Sequence, residues 1–275
     1  MKKFTDYKEY DKKENLKIGS KVVHGAVGHD PFTGSVSFPI FQTATFRFRG
    51  LQDSFGYDYT RLQNPTIEEL ERTIAMLENG NHALALSSGM AAVMCVFSLL
   101  KSGDHLISSD DIYGGTYEIA KTELKERGIE TDFVDLSDFE LFKESIKENT
   151  KMIFIESPTN PTMKVADIAE ICKVAHEKGI IVVVDNTLLT PYYQKPLNLG
   201  ADIVIHSGTK YLEGHNDTMA GFVVTKSEEY FAPMRTFLTY QGACLAPLNA
   251  WLTLRGIKTL EVRMQRHNEN ALKVA

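Results

Sequence analysis

Ala201-Asp-Ile-Val-Ile-His-Ser-Gly-Thr-Lys210-Tyr-Leu-Glu-Gly-His-Asn-Asp217 opens on an apolar, β-branched run and closes on hydroxyls, an amine and glycines. A run as short as Ile203-Val-Ile205 reads as a strand buried on both faces, so its polar end emerges at the carboxyl edge of a sheet. In open α/β sheets that edge is where ligands bind. Taken alone, Lys210 is equally an ordinary solvated lysine at a strand end. With Ser207 and Thr209 beside it, the amine suits an anionic ligand held by hydroxyls.

Working outward, strands alternate with helices. Ala83–Leu86, His105–Ser108, Thr131–Val134, Met152–Ile155, Ile180–Val184 and Phe222–Val224 read as strands. Pro65–Glu78, Met90–Leu100, Thr116–Glu126, Phe139–Lys147 and Val165–Lys178 read as helices. In Val165–Lys178 the apolar residues Val165, Ile168, Cys172 and Ala175 share one face, and Gly179 marks the stop. Such alternation requires crossover connections and a mostly parallel sheet flanked by helices. Residues 1–20 are charged and aperiodic, as in an arm, and Trp251 onward is helical to the end. The expected organisation is an N-terminal arm and intersubunit segment over 1–60, a large domain over 61–250 and a linker helix from 251.

The composition narrows the chemistry. With 275 residues and a net charge of −6, the chain carries no basic run for a nucleic-acid surface. No apolar stretch approaches a membrane span, and the polar start lacks a signal-peptide core, which leaves a cytoplasmic enzyme as the expectation. Cys95, Cys172 and Cys244 are widely spaced and form no CxxC pair, so they read as reduced thiols. His206 and His215 have no further ligands at metal spacing in their flanks, and no metal is expected.

Several strand ends carry residues with chemical potential. Asp185 ends a wholly apolar strand, where a buried carboxylate needs a partner: a cationic ring nitrogen would serve, as would the capping of a helix. Ser87-Ser-Gly-Met90 sits where a strand gives way to a helix, and suits either a phosphate or a plain capping turn. Tyr113 precedes a glycine pair that leaves room for an aromatic ring to lie over a planar ligand, or else packs in the core. In Glu156-Ser-Pro-Thr-Asn160-Pro161 two prolines fix the backbone that presents the Asn160 amide. Tyr59 and Arg61, two apart in extended chain, suit a phosphate. Neither GxGxxG nor GxxxxGK[ST] occurs, which disfavours a nucleotide-dependent enzyme.

Together, Tyr59-Thr-Arg61-x-x-Asn64-Pro65-Thr66, Ser88-Gly89-Met90, Tyr113-Gly-Gly-Thr116, Glu156-Ser-Pro-Thr-Asn160-Pro161, Asp185-Asn-Thr and Ser207-Gly-Thr-Lys210-Tyr resemble the trans-sulfuration (Cys/Met metabolism) family of pyridoxal-phosphate (PLP) enzymes. Ala246-Pro-Leu-Asn-Ala-Trp251 and Arg255-Gly-Ile-Lys-Thr-Leu260 are similar to further family segments, and the likeness runs from about Val22 onward. It implies the PLP-dependent transferase-like fold of type I, with pyridoxal 5'-phosphate covalently held by Lys210. It also implies that Lys210 shuttles the substrate proton, that Asp185 faces the ring nitrogen, and that Tyr113 stacks on the ring and assists proton transfer. Ser88, Gly89, Met90, Ser207 and Thr209 would hold the phosphate and Asn160 would line the cofactor site. Tyr59 and Arg61 would reach the phosphate of a neighbouring subunit in a homodimer or homotetramer.

The implied reaction is elimination across the C–S bond of cystathionine or a related sulfur-containing amino acid. Alternatives are γ-replacement on an acylated homoserine by a cystathionine γ-synthase, or an inactive PLP-binding or dimerisation partner. Gly115 stands where methionine γ-lyases of the family carry cysteine, which argues against methionine as the main substrate. Family members continue past the position of Ala275 into a smaller domain of about a hundred residues with the substrate-carboxylate arginine, so this small domain is expected to be missing from the chain.

Overall fold

The computed structural model describes residues 16–30 and 32–275. The first fifteen residues of the expected arm therefore lie outside the described residues. Its last three belong to a short helix, α1 (Ile18–His24), followed by a two-stranded ribbon, β1 (Phe48–Gly50) and β2 (Asp53–Ser54). The alternating part comprises α2 (Pro65–Glu78), β3 (His82–Leu86), α3 (Gly89–Phe97), β4 (His105–Ser109), α4 (Gly114–Ile119), β5 (Glu130–Val134), α5 (Phe139–Ser145), β6 (Thr150–Glu156), α6 (Ile168–Glu177), β7 (Ile181–Asp185), α7 (Thr190–Tyr193), β8 (Ile203–Ser207) and β9 (Gly221–Thr225). Three helices close the chain: α8 (Glu228–Gln241), α9 (Pro247–Ile257) and α10 (Leu260–Val274).

Local chemistry explains the boundaries. Helix α2 begins where the Asn64 side chain accepts from the Thr66 N–H and Pro65 supplies a preset φ. It ends at Asn79, whose φ of 59° is left-handed, and it buries Leu70, Ile74 and Leu77 completely. Helix α6 starts later than its apolar spacing predicts. Asp167 caps it through the Glu170 N–H, so Val165 precedes the first turn and stands 65% exposed. The helix expected at Thr116–Glu126 starts two residues earlier and passes into a π-helical turn at Ala120–Leu124. The helical tail from Trp251 is two helices, parted at Lys258-Thr259.

The seven-stranded sheet runs β3-β9-β8-β7-β6-β4-β5. Strand β9 is antiparallel to both its neighbours, and every other adjacent pair is parallel. Strand β3 thus points the same way as β8, and six strands share one carboxyl edge. Alternation along each strand sends side chains to opposite faces. Met152, Phe154, Val183, Ile203 and Ile205 pack with α3 and with Met234 and Leu238 of α8. Ile153, Ile155, Val182 and Val184 pack with Phe142 of α5 and with Ile168, Ile171 and Cys172 of α6. Val204, Phe222 and Val224 pack with α2 and α9. Helices therefore cover both faces, the arrangement a mostly parallel sheet demands.

Candidate active site

The strand ends that drew attention in the sequence converge on that shared edge. Ser88–Met90 follows β3, Tyr113 follows β4, Asn160 follows β6, Asp185 ends β7, and Ser207–Lys210 ends and follows β8. Because β9 runs the other way, its first residue, Gly221, also lies there, paired with Ser207 and with Leu86.

Glycines let these pieces approach. A Cβ on Gly89 would stand 2.8 Å from the Ser207 Cβ, and one on Gly221 would stand 1.9 Å from the Ser88 carbonyl oxygen. The first residues of α3 are thereby pressed onto the end of β8. Ser88 occupies the cap position, and its hydroxyl accepts from the Ala91 N–H at 3.1 Å. The Gly89 and Met90 N–H groups, which have no earlier helical carbonyl to bind, are left as donors beside the Ser207 hydroxyl. That donor set suits a phosphate group.

Asp185 stands two strands' width from this helix end. Its Oδ1 accepts from the Thr187 N–H at 3.0 Å and from the Thr187 hydroxyl at 2.5 Å. The Thr187 hydroxyl in turn accepts from the Ser207 N–H at 2.8 Å, which ties β7 to β8. Burial pushes the Asp185 carboxyl above its ordinary range, opposed by the Thr187 hydrogen bonds and by nearby His206. A half-buried carboxylate in that condition gains from a cation brought against it. The donors at one end and Asp185 at the other fit a ligand with a phosphate and a protonated ring nitrogen, as pyridoxal 5'-phosphate has.

Lys210 is exposed in the turn after β8, with its N–H donating to Ser207 O at 3.2 Å. Tyr113 is 51% exposed. Its ring lies close to Gly115, where a Cβ would meet the ring at 2.7 Å and the Met90 sulfur at 2.9 Å. Tyr113 and Met90 therefore flank the same spot. Asn160 is exposed, and its N–H donates to Glu156 Oε1 at 2.9 Å. The Thr209 hydroxyl is occupied by the chain itself, accepting from the Ala220 N–H at 3.1 Å.

Tyr59 and Arg61 do not join this group. The Arg61 guanidinium lies 5.4 Å from the Tyr59 ring centre and donates to Thr239 O near the end of α8. Both side chains are adjacent on the side of the molecule formed by α2 and α8, but Thr60 and Arg61 lie in a turn closed by the Leu62 and Gln63 N–H groups on Tyr59 O, not in extended chain. His206 is wholly buried, with Nε2 2.7 Å from Glu78 Oε1, and His215 Nδ1 lies 2.8 Å from Glu213 O.

Two residues with a bearing on the site escaped the sequence reading. Glu156 ends β6 in register with Asp185 and is 8% exposed, and burial together with the Asp185 charge lifts its carboxyl to about 7. Its place in a Pro-rich turn motif drew attention to Asn160 instead. Thr187, two residues after Asp185, was passed over because a threonine after a strand is unremarkable.

The family model for Cys/Met metabolism PLP-dependent enzymes matches residues 19–275. A cystathionine gamma-synthase/O-acetylhomoserine (thiol)-lyase of Bacillus subtilis is 49% identical over 246 residues, 90% of this chain and 66% of the relative. A cystathionine beta-lyase of Lactococcus lactis is 47% identical over 94% of this chain and 68% of its own length. The crystal structure of a cystathionine gamma-lyase from Lactobacillus plantarum, complexed with L-serine, superposes with a TM-score of 0.92 at 41% identity, covering 94% of this chain and 68% of that one. The chain thus spans about two thirds of the length of these relatives. Fold, strand-end groups and family match agree, and the chain belongs to the Cys/Met metabolism family of PLP-dependent enzymes.

Proposed function

We propose that this chain forms the cofactor-binding part of a PLP-dependent enzyme that cleaves the C–S bond of cystathionine or a related thioether amino acid. The observation that carries the reading is the gathering of Ser88–Met90, Asp185 and Ser207–Lys210 at one carboxyl edge. The chemistry that pyridoxal 5'-phosphate supplies when bound is electron withdrawal from the substrate Cα.

The chain's own groups have the following parts. Lys210 Nζ would hold the cofactor covalently and, as a free amine, would take the proton from the substrate Cα and deliver it to another substrate atom. Asp185 would keep the ring nitrogen protonated by holding a negative charge against it. Tyr113 would cover the ring and assist proton transfer. Asn160 would fix its orientation. Ser88, Gly89, Met90, Ser207 and Thr209 would bind the phosphate, Thr209 after giving up its bond to the Ala220 N–H. Tyr59 and Arg61 serve the phosphate of a second copy, so the working unit is a homodimer or a pair of them. The enzyme acts in the cytoplasm, where buried free thiols such as Cys95 and Cys172 stay reduced.

A second reading, γ-replacement on an acylated homoserine, is favoured by the double name of the Bacillus subtilis relative. Titration of the purified protein with pyridoxal 5'-phosphate should give a visible absorbance band that Lys210→Ala abolishes. Release of pyruvate or 2-oxobutyrate from cystathionine then marks the lyase, and thioether formation from O-acetylhomoserine and cysteine marks the synthase. A colourless wild-type protein would sink both.

A further inference from the structure

Glu156 is an expensive residue for this fold to keep. It is buried at the end of β6, in register with Asp185 of β7, and Asp111 from the loop after β4 adds a third negative charge nearby. The charges of Asp185 and Asp111 both disfavour its ionised form. Two backbone donors of the candidate site stabilise its charge. Oε2 accepts from the Tyr113 N–H at 2.9 Å and Oε1 accepts from the Asn160 N–H at 2.9 Å.

The two donors come from separate loops, 47 residues apart in sequence, and both are held by this carboxylate. A glutamine in its place has one acceptor oxygen and serves one of the two N–H groups, leaving the other facing an NH₂. An aspartate is one methylene too short to span both from the same strand end. The far side of the Asn160 loop is held as well: Asp111 Oδ2 accepts from the Thr159 hydroxyl at 2.6 Å and from the Thr162 N–H at 2.9 Å. The Tyr113 and Asn160 loops are thus clamped together at Glu156 and again at Asp111.

We propose that Glu156 is a positioning residue whose two carboxylate oxygens set the Tyr113 and Asn160 loops at the spacing the cofactor ring requires. The proposal rests on the PLP reading above and assigns Glu156 no contact with substrate. A residue kept for the fold alone would lower stability when replaced. Glu156 opposes the fold of the cofactor-free protein, so its replacement should separate stability from cofactor binding.

The test uses the full chain and three proteins: wild type, Glu156→Gln and Glu156→Asp. Each is titrated with pyridoxal 5'-phosphate while the visible band is followed, and each is melted without cofactor at pH 8. Glu156→Gln should bind at least tenfold more weakly, with a displaced visible band, while melting at the same temperature as wild type or higher. Glu156→Asp, which keeps the charge and loses the span, should also bind at least tenfold more weakly. Glu156→Gln binding within twofold of wild type would overturn the proposal. So would a fall in its melting temperature that accompanies the weaker binding, since that marks a structural role. Wild-type affinity in Glu156→Asp would show that charge alone matters. If wild type itself takes up no cofactor, the PLP reading fails; if wild type binds and the variants bind equally well, only the clamp fails.

Discussion

Two carboxyls at adjacent strand ends, Glu156 and Asp185, give the cofactor-free protein an unusual pH response. Glu156 moves from an ordinary 4.5 to about 7 on folding, so the fold holds its proton more tightly than the unfolded chain does. Its contribution is therefore most favourable below about pH 4.5 and is lost as the pH rises toward 7. The difference is roughly 3 kcal/mol. Asp185 is shifted in the same direction. Glu71 is raised by burial as well, whereas burial lowers His105 and works against the slope, so the comparison of wild type with Glu156→Gln isolates the Glu156 part. The cofactor-free protein should melt at a higher temperature at pH 5.5 than at pH 8, and Glu156→Gln should flatten that slope. Equal slopes in the two proteins would show that Glu156 is not the group responsible.

Elements meet here through positions with no room to spare, and these carry predictions of their own. Gly221→Ala would place a methyl carbon against the Ser88 carbonyl, a backbone atom that cannot swing aside. The start of α3 must then shift, at a cost of about 1–3 kcal/mol, and cofactor affinity should fall with it. Gly50→Ala, in open space, is the control and should change neither. On the opposite face of β8, His206 is paired with Glu78 at the end of α2, and Asn186 Nδ2 donates to the same Glu78 oxygen at 2.8 Å. His206→Ala would strip that buried carboxylate of its histidine partner and destabilise the protein by about 3–5 kcal/mol, readable as a shifted denaturant midpoint.

The same element scale shows what the sequence could reveal. Pro65–Glu78 was readable to the residue because a cap, a proline and a full apolar stripe coincide there. Helix α8 is not legible in the sequence, since it carries Pro233 in its interior and buries only Met234 and Leu238. The lone antiparallel strand was hidden as well, because a short apolar run carries no sign of its direction. The placement of Asp185, Ser88–Met90 and Lys210 at the carboxyl edge is legible because Asp185 and Ser87 directly follow apolar runs and Lys210 lies five residues past Ile205. The Glu156 clamp is not, because its partners are backbone N–H groups, and sequence does not advertise those.

For the whole molecule, the separation of Tyr59 and Arg61 from the Lys210 edge makes shared sites testable. If Arg61 serves a neighbour's phosphate, Lys210→Ala and Arg61→Ala chains are each defective, yet mixed dimers contain one intact site. Dissociating and reassociating the two variants in equal amounts should restore about a quarter of the wild-type visible band above the sum of the separate proteins. No gain on mixing would place Arg61 in its own subunit's business.

The reversed direction of β9 has a consequence for how such a site can change. Chain leaving β8 at Ser207 re-enters the sheet at Gly221, beside the point it left, so the reactive lysine rides on a loop whose two ends are stapled together. Lengthening a loop closed in this way costs little, since closure entropy grows only with the logarithm of length. A parallel neighbour would have required a crossover helix in the same place. Lys210, Leu212, Glu213 and Ala220 are fixed by their role or by burial, so new length and new side chains belong at the exposed tip, residues 215–217, while the strands on either side keep their register.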